Sequence, residues 1–213
     1  MKVISYSYQE GLNLEDQVAY CARVSNPVSQ ANHLNNPKLL MYLIEHGHWS
    51  PFEMVSICLE IETSRDIGRQ ILRHRSFSFQ EFSQRYSTPS LDFHHREARL
   101  QDTKNRQNSI PTEDITLKRK WDDLQDQVAQ ASHQAYTWAI QNGVAKEQAR
   151  IVLPEGMTAT RMYMNGTLRS WIHYIQARSG HDTQKEHREV AIACAMAIEP
   201  LFPMIRSFVK VDI

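Results

Sequence analysis

The stretch 52–75, FEMVSICLEIETSRDIGRQILRHR, changes its hydrophobic period partway along. Through FEMVSICLEIE (52–62) apolar and polar residues alternate and β-formers dominate, which predicts a strand with one face buried. Thr63 or Ser64 then offers a side-chain oxygen to cap a helix through SRDIGRQILRHR. A strand that runs straight into a helix commits the chain to packing helices against a sheet. The remaining segments agree. Residues 3–8 and TATRMYM (158–164) alternate like strands, while LEDQVAYCARV (14–24) and KLLMYLIEH (38–46) have helical periodicity, with Pro37 suited to a first turn. A long helix is expected over roughly 113–141, with Trp121, Leu124, Val128, Ala131 and Tyr136 near one stripe and Gly143 ending it. A short helix is expected over 146–152. Asn165 could cap a helix over TLRSWIHYIQARS, and a last helix covers about 184–200. Residues 76–112 read as a long irregular loop, of a kind that is usually functional or disordered. Helices outnumber strands, so the expected class is mixed α+β (α/β): one domain over 1–213, a central, mostly antiparallel sheet flanked by helices.

Four arginines (Arg69, Arg73, Arg75, Arg85) stand in the segment 69–87 with one acid, Glu81, yet the chain as a whole balances 24 basic against 24 acidic residues. The balanced total argues against bulk attraction to nucleic acid or a membrane surface, so the basic feature is local. Arg69, Gln70, Arg73 and His74 can share a helix face. The cluster uses arginine and no lysine, which favours bidentate recognition of phosphate or carboxylate over simple solubility. Ser76, Ser78, Ser83 and Ser87 add short donors at loop positions. Together these features point to a small anionic ligand.

Arg73-His74-Arg75, Ser78, Ser83 and Arg85 read R-H-R-x-x-S-x-x-x-x-S-x-R, which resembles the signature of flavin-dependent thymidylate synthases. HGHWSPFE (46–53), EQARIVLP (147–154), LRSWIHYIQAR (168–178) and TQKEHRE (183–189) are similar to further blocks of that family, in the same order. The resemblance implies an FAD enzyme that makes dTMP from dUMP, taking the one-carbon unit from methylenetetrahydrofolate and reducing equivalents from NADPH, as a homotetramer whose sites combine residues of several subunits; the odd number of cysteines, with no CxxC pair, suits a cytoplasmic protein. It implies FAD contacts at Ser50, Arg73, His74, Arg75, Glu81, Thr167, Arg169 and His173. It implies dUMP contacts at Gln70, Arg73, Glu81, Ser83, Arg85, Arg150 and Arg178. Arg178 would stabilise negative charge on the uracil ring, since a guanidinium stays protonated. The chain departs from the family at Gln80 and His173, where asparagine is common.

Ser83 has no base near it in sequence, so phosphate ligation suits it better than nucleophilic attack. The three cysteines lie in apolar surroundings and read as reduced core thiols, which fits hydride delivery by a flavin rather than a cysteine nucleophile. No metal is expected: His46-x-His48 with Glu53, and His94-His95, match no metal-binding spacing. Two other readings start from the same residues. Phe77, Phe79, Phe82 and Tyr86 with the arginines could grip single-stranded nucleic acid, and another flavin oxidoreductase acting on a nucleotide would need a similar site. No apolar run approaches a membrane span, and the N-terminus lacks a secretory leader pattern.

Overall fold

The computed structural model describes residues 1–210. Its central sheet contains β1 (Lys2–Tyr6), β2 (Ser56–Ser64), β3 (Ser78–Glu81) and β6 (Ala159–Thr167), in the order β1-β2-β6-β3 with every neighbour antiparallel. β4 (Arg99–Gln101) and β5 (Ser109–Pro111) form a separate hairpin. The helices are α1 (Leu14–Ala22), α2 (Asn36–Glu45), α3 (Arg65–Ile71), α4 (Ile115–Gln141), α5 (Lys146–Ala149), α6 (Leu168–Arg178) and α7 (Lys185–Ile198). The expected class holds: mixed α+β, an antiparallel sheet flanked by helices, and one long helix.

The period-two pattern sorts the faces of the sheet. Ile57, Leu59 and Ile61 of β2 and Met162 and Met164 of β6 are fully buried beneath α3, α6 and α7, whereas Cys58, Glu60, Tyr163 and Asn165 face the other way and stay partly or fully exposed. Trp171 of α6 joins the same core and donates its indole N–H to the Ile57 carbonyl at 3.0 Å. Phe77 packs closely against β6 at Gly166, and only a glycine permits this: a Cβ on Gly166 would sit 2.4 Å from the Phe77 ring.

Several expectations need correction. Residues 76–112 are not one irregular loop, because β3 and the β4–β5 hairpin lie within them. Asn165 is not a helix cap: the nine-residue ladder to β2 holds it in β6, and Thr167 caps α6, its Oγ1 accepting from Ser170 N at 3.3 Å. Only Cys194 is a buried thiol, since Cys21 and Cys58 are half-exposed. The stripe on α4 is also not a core stripe. The helix buries Gln125, Ser132, Tyr136 and Ala139 against α5 and the loop before it, and leaves Trp121, Leu124 and Val128 more than 40% exposed. The reason is polar: Gln125 donates to and accepts from the Arg96 backbone, at 3.0 and 2.8 Å, and so turns that face inward.

Candidate active site

β3 carries the arginine–serine motif from one part of the molecule to another, and its ends gather different residues. Ser78 pairs with Asn165 and Glu81 with Met162, so the strand moves away from the start of α6 by about 10 Å.

At the α6 end, α3 stops at Ile71 and the chain turns through Arg73-His74-Arg75. Ser170 Oγ donates to the Ser76 carbonyl at 3.3 Å, which ties this turn to α6. Tyr174 and Arg178 follow Ser170 at four-residue spacing, so all three share a helix face. Arg178 Nε donates to His74 Nε2 at 3.0 Å, and the Tyr174 ring meets the His74 ring edge-on at 4.8 Å. A guanidinium only donates, so His74 Nε2 must carry a lone pair and the proton must sit on Nδ1. Burial, reinforced by the charges of Arg178 and Arg73, brings the His74 pKa down to about 4, which keeps the ring neutral at pH 7. Gln70, one turn earlier, contacts His187 Nδ1 at 3.1 Å and donates to Gln184 at 2.7 Å. Among the described residues no carboxylate pairs with Arg73, Arg75 or Arg178.

Beside this group runs a second strip of α6. Arg169 pairs with Glu53, and His173 meets Trp49 edge-on at 4.5 Å. Burial and then the Arg169 charge lower the His173 pKa. Ser50 opens the 3-10 turn Ser50–Glu53 and is exposed. Ser50, Thr167, Arg169 and His173 therefore flank the His74 turn as one group.

The far end of β3 is more open. The Ser83 carbonyl accepts from Tyr86 N and Ser87 N at 3.1 and 3.0 Å, which makes a tight turn, while the Ser83 hydroxyl bonds to no described residue. Arg85 lies 3.7 Å from the Glu147 carboxylate, and Arg150 Nε donates to the Glu147 carbonyl at 3.3 Å, so Ser83, Arg85 and Arg150 form a cationic surface. Glu81 belongs to neither group. Its Oε1 accepts from Thr160 Oγ1 at 2.8 Å and lies 3.4 Å from Arg65, a largely buried ion pair.

The residues expected to hold one nucleotide are thus divided within a single chain. Gln70, Arg73 and Arg178 are at one end and Ser83, Arg85 and Arg150 at the other, with Glu81 between. The aromatic residues of the nucleic-acid reading are mostly committed elsewhere: Phe77 is buried against Trp171 and Tyr174, Phe79 and Phe82 are half-buried, and Tyr86 alone is well exposed. No group of three or more His, Cys, Asp or Glu residues is arranged to hold a metal among the described residues; His46 instead stacks on Tyr42.

Sequence reasoning missed Arg65, Thr160, Tyr174 and His187. Tyr174 was within reach, because it falls midway between Ser170 and Arg178 on one helix face. Arg65 reads only as a helix start, and its role depends on β3 crossing beside α3.

Residues 3–204 match the family of thymidylate synthase complementing proteins. A flavin-dependent thymidylate synthase from Synechocystis is 52% identical over 196 residues, covering 92% of this chain and 89% of that one. A probable flavin-dependent thymidylate synthase of Paramecium bursaria Chlorella virus 1 is 47% identical over 92% of this chain and 91% of its own. In fold, the chain is similar to a crystal structure of the UMP/dUMP methylase PolB from Streptomyces cacaoi bound with 5-Br dUMP, with a TM-score of 0.83 at 23% identity over 97% of this chain and 92% of that one. With the motif, the fold and these relatives in agreement, the chain belongs to the thymidylate synthase complementing protein family.

Proposed function

We propose that this protein is a flavin-dependent thymidylate synthase. It would convert dUMP to dTMP with FAD as cofactor, methylenetetrahydrofolate as one-carbon donor and NADPH as reductant. The observation that carries the reading is Arg178, whose Nε is committed to His74 while its terminal nitrogens bond to no described residue. A fixed guanidinium with free donors can stabilise an oxyanion that develops on a uracil carbonyl without moving a proton.

The other residues fit two phosphate-bearing ligands. Arg73 and Arg75 are exposed, face no carboxylate among the described residues, and adjoin His74, whose Nδ1–H is a donor. With Ser50, Thr167, Arg169 and His173 they would hold FAD, which supplies the hydride chemistry when bound. Glu81, kept close to Arg65, would lie near both ligands. Ser83, Arg85 and Arg150 would hold the dUMP phosphate, and Gln70 its base. Cysteine catalysis is disfavoured by the thiols themselves: burial pushes Cys194 up to about 12 and raises Cys58 as well, and a reactive cysteine needs the opposite shift.

Separation of the two phosphate-binding ends within one chain supports a site completed between copies. So does the exposed stripe of Trp121, Leu124 and Val128 on α4, a surface of the kind that oligomer interfaces cover. We infer a homotetramer with shared sites. Among the described residues no helix is long and apolar enough to cross a membrane, and unpaired cysteines suit a reducing cytoplasm.

Incubation of the purified protein with FAD, dUMP, methylenetetrahydrofolate and NADPH should yield dTMP, with UMP as the comparison substrate. Absence of dTMP in that mixture would reject the assignment.

A further inference from the structure

Behind the Arg178–His74 pair lies a polar chain that runs from the β4–β5 hairpin to Tyr174. The Glu186 carboxylate accepts from Arg99 and, at 2.9 Å, from Gln184 Nε2. A carboxylate only accepts, so the Gln184 amide nitrogen must face it and the Gln184 oxygen must face Gln70. Gln70 donates to that oxygen at 2.7 Å, which leaves its own oxygen towards His187 Nδ1 at 3.1 Å. An amide oxygen also only accepts, so Nδ1 must carry a proton. His187 is 1% exposed, and burial together with the charges of Arg178 and His74 lowers its pKa to about 4. The neutral ring has one proton, so Nε2 is bare and the Tyr174 hydroxyl donates to it at 3.1 Å. Every donor in the chain therefore points towards Glu186, and no alternative orientation satisfies all the bonds.

We propose that His187 is a positioning residue of the site: as the Nδ1–H tautomer it fixes the Gln70 carboxamide and the Tyr174 hydroxyl, and through Tyr174 it holds the His74 ring against Arg178 Nε. This rests on reading Gln70 and Arg178 as dUMP contacts. A merely structural histidine would affect stability when replaced; this one also sets the spacing between the residue that recognises the base and the guanidinium that polarises it.

Two substitutions separate these roles. His187→Asn keeps a donor at the Nδ1 position, while His187→Phe keeps the ring volume and removes both polar atoms. With FAD saturating, His187→Phe should raise KM for dUMP about tenfold, since it leaves the Gln70 oxygen unpaired, and should leave FAD affinity unchanged. His187→Asn should recover most of that loss. Ring-nitrogen chemical shifts of the 15N-histidine-labelled protein, measured without dUMP, should show His187 protonated on Nδ1 and bare on Nε2. A wild-type KM in His187→Phe overturns the proposal, as does an Nε2–H tautomer, or a His187→Asn variant as impaired as His187→Phe. If His187→Phe does not fold, the Asn variant and the tautomer decide. A wild-type protein that forms no dTMP rejects the functional reading itself, a result distinct from normal kinetics in the variants.

Discussion

The two ends of β3 are built differently. At the α6 end, Arg178 bonds to His74, Gln70 and Tyr174 bond to His187, and the Tyr174 ring packs edge-on against His74, so each has a place within this chain. At the other end, Ser83 and Arg85 are exposed, Arg150 is half-exposed, and a 3.7 Å contact to Glu147 is the one ion pair that restrains Arg85 among the described residues. The first end is set before any ligand arrives, and the second depends on what meets it. Under the proposed function, the group assigned to charge stabilisation sits on the rigid core, whereas the groups assigned to phosphate capture, which tolerates looser geometry, sit on a turn.

The largest effect is expected at Arg178. Arg178→Ala should lower kcat for dTMP formation by at least about 10²–10³-fold, the usual loss when a donor to a developing oxyanion is removed. The flavin spectrum and thermal midpoint should stay close to wild type. Next in size is the link between the ends. Arg65→Met leaves the largely buried Glu81 carboxylate with only the Thr160 hydroxyl and no cation, and should cost about 3–5 kcal/mol in urea unfolding. At the open end, Arg85→Ala or Arg150→Ala should raise KM for dUMP by about tenfold, the value of one charge-assisted phosphate contact, with little change in kcat. Glu147→Gln should have the smallest effect, within about twofold on the same KM, because an exposed ion pair contributes little.

Acid should act on the rigid end. His74 and His187 are held to about 4 against a usual 6.5, so the unfolded chain binds protons that the folded chain refuses. Folded-state stability should therefore fall as the pH drops from about 6.5 to about 4, and hold steady above that window. A thermal midpoint that is flat across this range would contradict the buried, neutral state of both rings.

Much of this was legible in the sequence, and the failures are instructive. Alternation in FEMVSICLEIE and TATRMYM marked the two central strands, because each has one buried face. Ser78–Glu81 was not legible as a strand: SFQE is short and mostly polar, and it is extended only because β6 offers it an edge. Asn165 and Thr167 are both good cap residues by type, and choosing between them required the register with β2. The α4 stripe misled because apolar spacing specifies a face to be covered without saying that this chain covers it. At the site, the motif named the residues proposed to meet ligand, while Tyr174, His187 and Arg65 act through other side chains and became visible only in three dimensions.

The central claim is that the rigid end of one copy and the open end of another make one site. Arg178→Ala and Arg85→Ala proteins, each impaired alone, can be mixed, dissociated and reassembled, and dTMP formation then measured. Shared sites would pair an intact Arg178 from one copy with an intact Arg85 from the other, so activity should rise well above the sum of the two variants. Activity that stays at that sum would show both ends working within a single chain and would contradict the account.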